Sequence, residues 1–240
     1  MSKQSNLYIF LYASAMVVIV ATILSVAAIF LKPFQQKNLE IEKKQDILRS
    51  VKLATKANEV NDKNSYVEKE FAKYVVEQLV IDSKGEIKSG MSAFDIKLKE
   101  ELAKPLGERN LPLYICKLDD GSLKYVIPVR GKGLWGPIWG NIAFNEDMNT
   151  IYGAVFSHKG ETPGLGADID KAFFQDPFVG KQILENQKFV SITVVKGGAA
   201  PTDIHGVDAI SGGTITSKGV EDMIKDCLNA YVPYFSKNRK

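Results

Sequence analysis

Leu111–Arg130 reads LPLYICKLDDGSLKYVIPVR, two apolar, β-rich runs around Asp120-Gly121. An Asp-Gly dipeptide between such runs supplies the positive φ of a tight turn, so the stretch reads as a β-hairpin. Ile138–His158, IWGNIAFNEDMNTIYGAVFSH, repeats the arrangement with a polar EDMN turn. Lys188–Val195, KFVSITVV, adds another strand. Short turns join strands antiparallel, because a parallel pair needs a longer crossover.

The period changes on either side. Val220, Met223, Ile224, Cys227, Leu228 and Tyr231 step by 3, 1, 3, 1 and 3, which makes a helix with one apolar stripe to lay on a sheet. NSYVEKEFAKYVVEQLV, Asn64–Val80, reads as a further helix. GADIDKAFFQDPFVGKQI, Gly166–Ile183, reads as a short helix around Ile169–Phe174 that breaks near Pro177. The fold class is therefore α+β, a mainly antiparallel sheet domain with packed helices.

Leu7–Leu31 is LYIFLYASAMVVIVATILSVAAIFL, without a charge between Lys3 and Lys32. As a helix it would extend about 37 Å, enough to cross a hydrocarbon core of about 30 Å with some tilt. It exceeds the apolar region of a signal peptide and ends in FLKPFQ without a small-residue cleavage pattern. A retained single-pass transmembrane helix is expected, with Tyr8, Tyr12 and Phe30 near its ends. Asn38–Val60 keeps an imperfect helical period, as a stalk would. The expected organisation is a tail over residues 1–6, a transmembrane helix over 7–31, a helical stalk over 32–64 and a domain over 65–240. Lys3 stands on one side of the apolar run, and Lys32, Lys37, Lys43, Lys44 and Arg49 on the other. Alone, that bias favours a cytoplasmic domain.

The chain has 240 residues, 45% of them hydrophobic, so it can bury one substantial core. A net charge of +3, evenly mixed, gives no footprint for nucleic acid. Cys116 and Cys227 lie among apolar residues, as buried thiols do, with one disulfide as the alternative. His158 and His205 have no neighbours at metal-ligand spacing, so no metal site is expected.

Three glycine-rich junctions remain. GKGLWGPIWG, Gly131–Gly140, contains a literal G-x-G-x-x-G. A dinucleotide fold needs a helix after it, and Pro137 leads instead into a strand, so direct NADH binding is excluded. Trp135 and Trp139 are either core or flanks of a planar ligand. HKGETPGLGADI, His158–Ile169, forms a turn at Thr162-Pro163-Gly164, where backbone N–H groups and the Thr162 hydroxyl can meet a polar ligand. DAISGGTITSKGV, Asp208–Val220, places Thr214 before a helix whose N-cap candidates are Thr216 and Ser217. A phosphate is favoured at such a terminus.

Taken in this order and spacing, the apolar segment and the three junctions resemble the FMN-binding domain family. Within it they are most similar to the C-type subunits of bacterial sodium-translocating NADH:quinone reductases; the G-type subunits of Rnf complexes are near relatives. The resemblance implies FMN attached through its phosphate to the last threonine of a D-x-x-[ST]-G-A-T motif. Here that motif falls on Asp208, Ser211, Gly212, Gly213 and Thr214, with Gly213 where alanine is usual.

By the same resemblance Glu161, Thr162, Leu165, Gly166 and Trp135 line the flavin; read from the residues of the second junction, the Glu161 carboxylate can hydrogen-bond a ring N–H. A separate flavin transferase would bring FAD and a metal ion onto the threonine, since a hydroxyl alone is a poor nucleophile. The implied role is electron relay beside the other subunits of a sodium-exporting NADH:quinone oxidoreductase. The implied place is the bacterial inner membrane, with the domain on the periplasmic side. That opposes the charge bias, which a folded domain can override. The alternatives are an Rnf-type electron-transport subunit, or a membrane-anchored binding module without covalent flavin.

Overall fold

The computed structural model describes residues 6–239. Lys3 and most of the expected 1–6 tail lie outside them. The chain divides into two compact units between Lys43 and Lys44.

Helix α1 spans Asn6–Ser50 and continues through Pro33. Leu7, Phe10, Val17, Leu24 and Ile29 are all exposed on it, and its most apolar window has no buried residue. It is long and apolar enough to cross a membrane.

The second unit is built on one sheet of strands β1 (Val75–Ile81), β2 (Leu111–Lys117), β3 (Leu123–Lys132), β4 (Pro137–Phe144) and β5 (Ile151–His158), antiparallel and neighbouring in chain order. Both expected hairpins are present as β2–β3 and β4–β5. The expected helix over Asn64–Val80 is corrected. Helix α2 covers Lys63–Tyr74 and the chain then turns into β1. Val75, Val76, Leu79, Val80 and Ile81 suit a strand, and β2 binds their backbone from Ile81↔Leu111 to Val75↔Cys116. Pairing with a distant segment outweighs local helical propensity there.

A short helix α3 (Leu98–Leu102) follows β1. After β5 come a 3₁₀ turn over Gly166–Asp170, α4 (Ala172–Gln175) and a second 3₁₀ turn over Asp176–Phe178, so the helix expected around Ile169–Phe174 is divided at Lys171 and ends, as expected, near Pro177. The expected strand over Lys188–Val195 is two pieces. With β6 (Leu184–Glu185), β7 (Lys188–Phe189) forms a small antiparallel pair; β8 (Thr193–Val195) pairs in parallel with β9 (Gly206–Asp208). Ser191, at φ 69°, bends the chain between them.

Helices α5 (Thr214–Asn229) and α6 (Val232–Asn238) close the fold. Val220, Met223, Ile224, Cys227 and Leu228 are buried with Tyr125, Ile127 and Val129, the inward alternation of β3. Each such side chain stabilises by about 1.5–3 kcal/mol. Gly131 makes this contact possible, since a Cβ there would lie 2.6 Å from the Met223 Cβ. The Tyr231 hydroxyl donates to the Pro112 carbonyl at 2.8 Å.

The opposite alternation carries Tyr114, Cys116, Val126 and Ala143, all buried. Tyr114 meets Phe71 of α2 edge to face at 6.5 Å and donates to the Ala93 carbonyl at 3.2 Å. The cysteines sit on opposite faces of the sheet and are unpaired. Burial pushes the Cys116 thiol up to about 12 and the Cys227 thiol to about 11.

Gly140 ends the WGPIWG run inside β4, where a Cβ would stand 2.2 Å from the Val155 carbonyl oxygen. The Gly140→Ala variant is expected to lose about 1–3 kcal/mol, read as a lowered midpoint in thermal or urea unfolding. An unchanged midpoint would contradict this packing.

Candidate functional site

The three glycine-rich junctions meet at one end of the domain, around the carboxylate of Glu161. This side chain is 5% exposed. Its Oε1 accepts the Trp135 N–H at 2.9 Å and the Gly136 N–H at 3.2 Å. Its Oε2 accepts the Thr216 hydroxyl at 2.6 Å. The first junction, the turn after β5 and the start of α5 are thus tied to one group. Burial alone would push this carboxyl upward; the bonds from Thr216, Trp135, Gly136 and Leu134 outweigh it, and Glu161 is held below its usual 4.5. The Glu161 N–H donates to Nδ1 of His158 at 3.1 Å, which makes His158 a turn residue.

Close approach explains the glycines. A Cβ on Gly133 would lie 2.6 Å from Glu161 Oε1, and one on Gly166 2.5 Å from Thr216 Oγ1 and 2.8 Å from Glu161 Oε2. The junctions are small because they wrap a buried carboxylate. Gly212 is at φ 74° with the Leu165 side chain against it, so the second and third junctions also touch directly.

Helix α5 begins at Thr214, earlier than expected, with Gly213 at the N-cap and no side chain capping it. Thr216 and Ser217 are therefore not caps. Thr216 is 1% exposed and committed to Glu161. Ser217 donates to the Gly213 carbonyl at 2.9 Å and accepts the Ile210 N–H at 3.0 Å, pinning the loop to the helix. Thr214 is half-exposed, on a first turn that carries no acid.

Ser211, Gly212 and Thr162 are exposed, while Gly213 and Gly166 are buried. The Thr162 carbonyl accepts the N–H groups of Leu165 and Ala167, both at 3.1 Å. The Asp208 carboxylate is turned to another task, accepting the Ala199 N–H at 2.7 Å. Trp135 is 71% exposed, so its indole is not core, whereas Trp139 is half-buried. Leu134, Trp135, Leu165 and Ile215 are all exposed around this end. Thr216 as the partner of Glu161, and Leu134 and Ile215 as rim residues, are not foreshadowed by the sequence. A separation of 55 residues between Glu161 and Thr216 leaves no local signal.

These residues fit an FMN. An uncapped N-terminus with free donors favours a phosphate, Thr214 offers an accessible hydroxyl, and the exposed apolar rim suits a planar ring. Among the described residues no cluster suited to a metal ion occurs.

Gly213 is the departure from the alanine pattern. A Cβ there would lie 3.0 Å from both Ile210 Cγ2 and the Leu165 carbonyl carbon, at an ordinary φ of −105°. The Gly213→Ala variant should fold, with a stability change within about 1 kcal/mol and undiminished flavin loading. Loss of loading would show that this glycine is required by the chain's own packing.

The chain carries an apolar N-terminal helix and, after it in sequence, an antiparallel sheet domain whose glycine junctions gather at the start of a helix. Residues 133–229 match the model of the FMN-binding domain family. NqrC, the C-type subunit of the Na(+)-translocating NADH-quinone reductase, from Neisseria meningitidis serogroup B is 32% identical, across 93% of this chain and 90% of the relative. Its counterpart from Vibrio vulnificus is also 32% identical, across 90% and 89%. The crystal structure of the Parabacteroides distasonis counterpart superposes with a TM-score of 0.75 at 40% identity, covering 86% of this chain and 97% of that one. Shewanella oneidensis NqrC gives 0.69 at 28% identity, covering 82% and 96%. The chain belongs to the NqrC family of the Na(+)-translocating NADH-quinone reductases.

Proposed function

We propose that this chain is the electron-relay subunit of a membrane NADH:quinone oxidoreductase that exports sodium, carrying FMN as a phosphoester on Thr214. One observation carries the attachment site. Of the two threonines at the start of α5, Thr214 is half-exposed at the uncapped terminus, whereas Thr216 is buried and donates to Glu161. An acceptor must reach a transferase, and only the first can.

When bound, the isoalloxazine supplies the electron-carrying chemistry. The chain holds the phosphate at the N–H groups of α5, where the helix dipole favours its charge. Leu134, Trp135, Leu165 and Ile215 offer apolar surface to the ring, with Thr162 and Ser211 as polar neighbours. Glu161 acts as a positioning residue, keeping the three junctions in register through its bonds to Trp135, Gly136 and Thr216. The domain, residues 65–240, then stands on the periplasmic side on a stalk over 32–64 and a single-pass helix over 7–31. The other subunits of the complex supply NADH oxidation, sodium movement and quinone reduction, and a flavin transferase supplies maturation.

The test is co-expression with an active flavin transferase, followed by ultraviolet illumination of a denaturing gel. A fluorescent band at this chain's mobility is expected. A dark band beside a fluorescent control substrate of the same transferase would refute covalent attachment.

A further inference from the structure

A second surface of the domain carries charge that the flavin site does not use. A groove of about 600 Å³ runs between α3, the end of β3 and the last turns of α5. Lys99, Arg109, Arg130 and Lys132 line it against one carboxylate, Asp226, with Leu102 and Leu106 as the apolar wall. None of the four cations forms an ion pair among the described residues. Two of the nearby acids are already committed. Glu101 is buried with Lys104 and the Asn110 N–H, and Glu100 pairs with Lys97.

Arg109 is also fixed in place. Its Nε donates to the Lys104 carbonyl at 3.0 Å and an Nη to the Leu102 carbonyl at 3.1 Å. Those bonds orient the guanidinium without neutralising it, so its remaining donors are presented to the groove. Four cations facing one carboxylate leave an excess of like charge, and an anion in the groove relieves that repulsion.

The α5 side of the groove is set apart from the flavin site, while Gly131 and Lys132 at its other edge open the first glycine junction. From Thr214 to Asp226 is twelve residues of α5, about 18 Å along the helix. Small-molecule sites are enclosed and mostly apolar with few polar groups. This groove is half open, its cations dominate, and two of them are arginines, the residue favoured where acidic motifs are read and at interface hot spots.

We propose that the groove receives an acidic segment of another subunit of the same complex, with at least two carboxylates opposite Arg109 and Arg130. This inference rests on the electron-relay reading above. Arg130 and Lys99 make the safest probes, because both lie outside the glycine junctions and neither side chain has an ion pair to lose among the described residues. The Arg130→Glu/Lys99→Glu double variant is co-expressed with the transferase and the other subunits. The complex is purified through a tag on another subunit, at low and high salt.

The expected result is about tenfold less of the variant retained with the complex at low salt. Its covalent fluorescence should be unchanged, and the parent's retention should weaken as salt rises. In the parent, zero-length carbodiimide coupling should join Lys132 or Lys99 to an Asp or Glu of another subunit. Equal retention of parent and variant, with flavin present in both, would overturn the groove's assignment and leave the flavin reading intact. Parent sedimenting with acidic phospholipid vesicles, while the variant keeps its subunits but not its vesicles, would overturn it in favour of a lipid. A parent chain without flavin would instead refute the flavin reading, which retention does not measure.

Discussion

The Thr214→Val variant is expected to carry no covalent flavin while folding as the parent does. Valine nearly matches threonine in volume and helix propensity, and position 214 is half-exposed with no neighbouring side chain tied to its hydroxyl. Its effect on stability should stay within about 0.5 kcal/mol. Quinone reduction by the assembled complex should fall by about tenfold or more, since a relay without its carrier breaks the chain of transfers.

The neighbouring threonine separates chemistry from packing. Thr216→Val removes a buried donor to the Glu161 carboxylate and should cost about 1–3 kcal/mol, yet it leaves the Thr214 hydroxyl available and the gel band fluorescent. Fluorescence lost at 216 and kept at 214 would reverse the assignment.

The largest effect on stability is expected at Glu161. Glu161→Ala strands the Trp135 and Gly136 N–H groups and the Thr216 hydroxyl at a site that is 5% exposed. Bonds to a charged acceptor are worth about 1.5–3 kcal/mol each. Water entering the space left offsets part of this, and a net loss of about 3 kcal/mol in chemical unfolding is expected. Loading should fall as well, because the Gly133–Gly136 and Thr162–Gly166 loops lose their common anchor.

Glu161 also gives the pH dependence a sign. Its folded-state pKa lies below its usual 4.5, so the unfolded chain takes up the proton first as pH falls. The stabilisation is complete above the unfolded value and is lost as pH falls through the folded one. Glu161→Gln does not titrate, so its deficit relative to the parent should be full near neutrality and shrink on acidification below the usual 4.5. A deficit that grows in acid would contradict the ionised hub.

The hairpins are legible in the sequence because turn chemistry and strand composition agree locally, as in Leu111–Arg130, and α5 because five stripe residues keep one period. Asn64–Val80 reads wrongly as one helix because the outcome at Val75 is decided by β2, which lies more than 30 residues on. Ser191 divides Lys188–Val195 through a positive φ that no glycine announces. In the site, the glycines announce close approach without saying to what. The object that Gly133 and Gly166 approach is the Glu161 carboxylate, met across the fold from two sides, and such contacts belong to tertiary structure. For the same reason Thr216 reads as a cap, when its hydroxyl is bound 55 residues away.

The central claim is that FMN is esterified to Thr214. The most direct measurement is tandem mass spectrometry of the tryptic peptide running from Gly197 to Lys218, taken from chain matured with active transferase. The expected spectrum shows this peptide heavier by one FMN less one water, with fragment ions placing the increment on Thr214. An increment on Ser211 or Thr216, or an unmodified peptide beside a demonstrably active transferase, would contradict it.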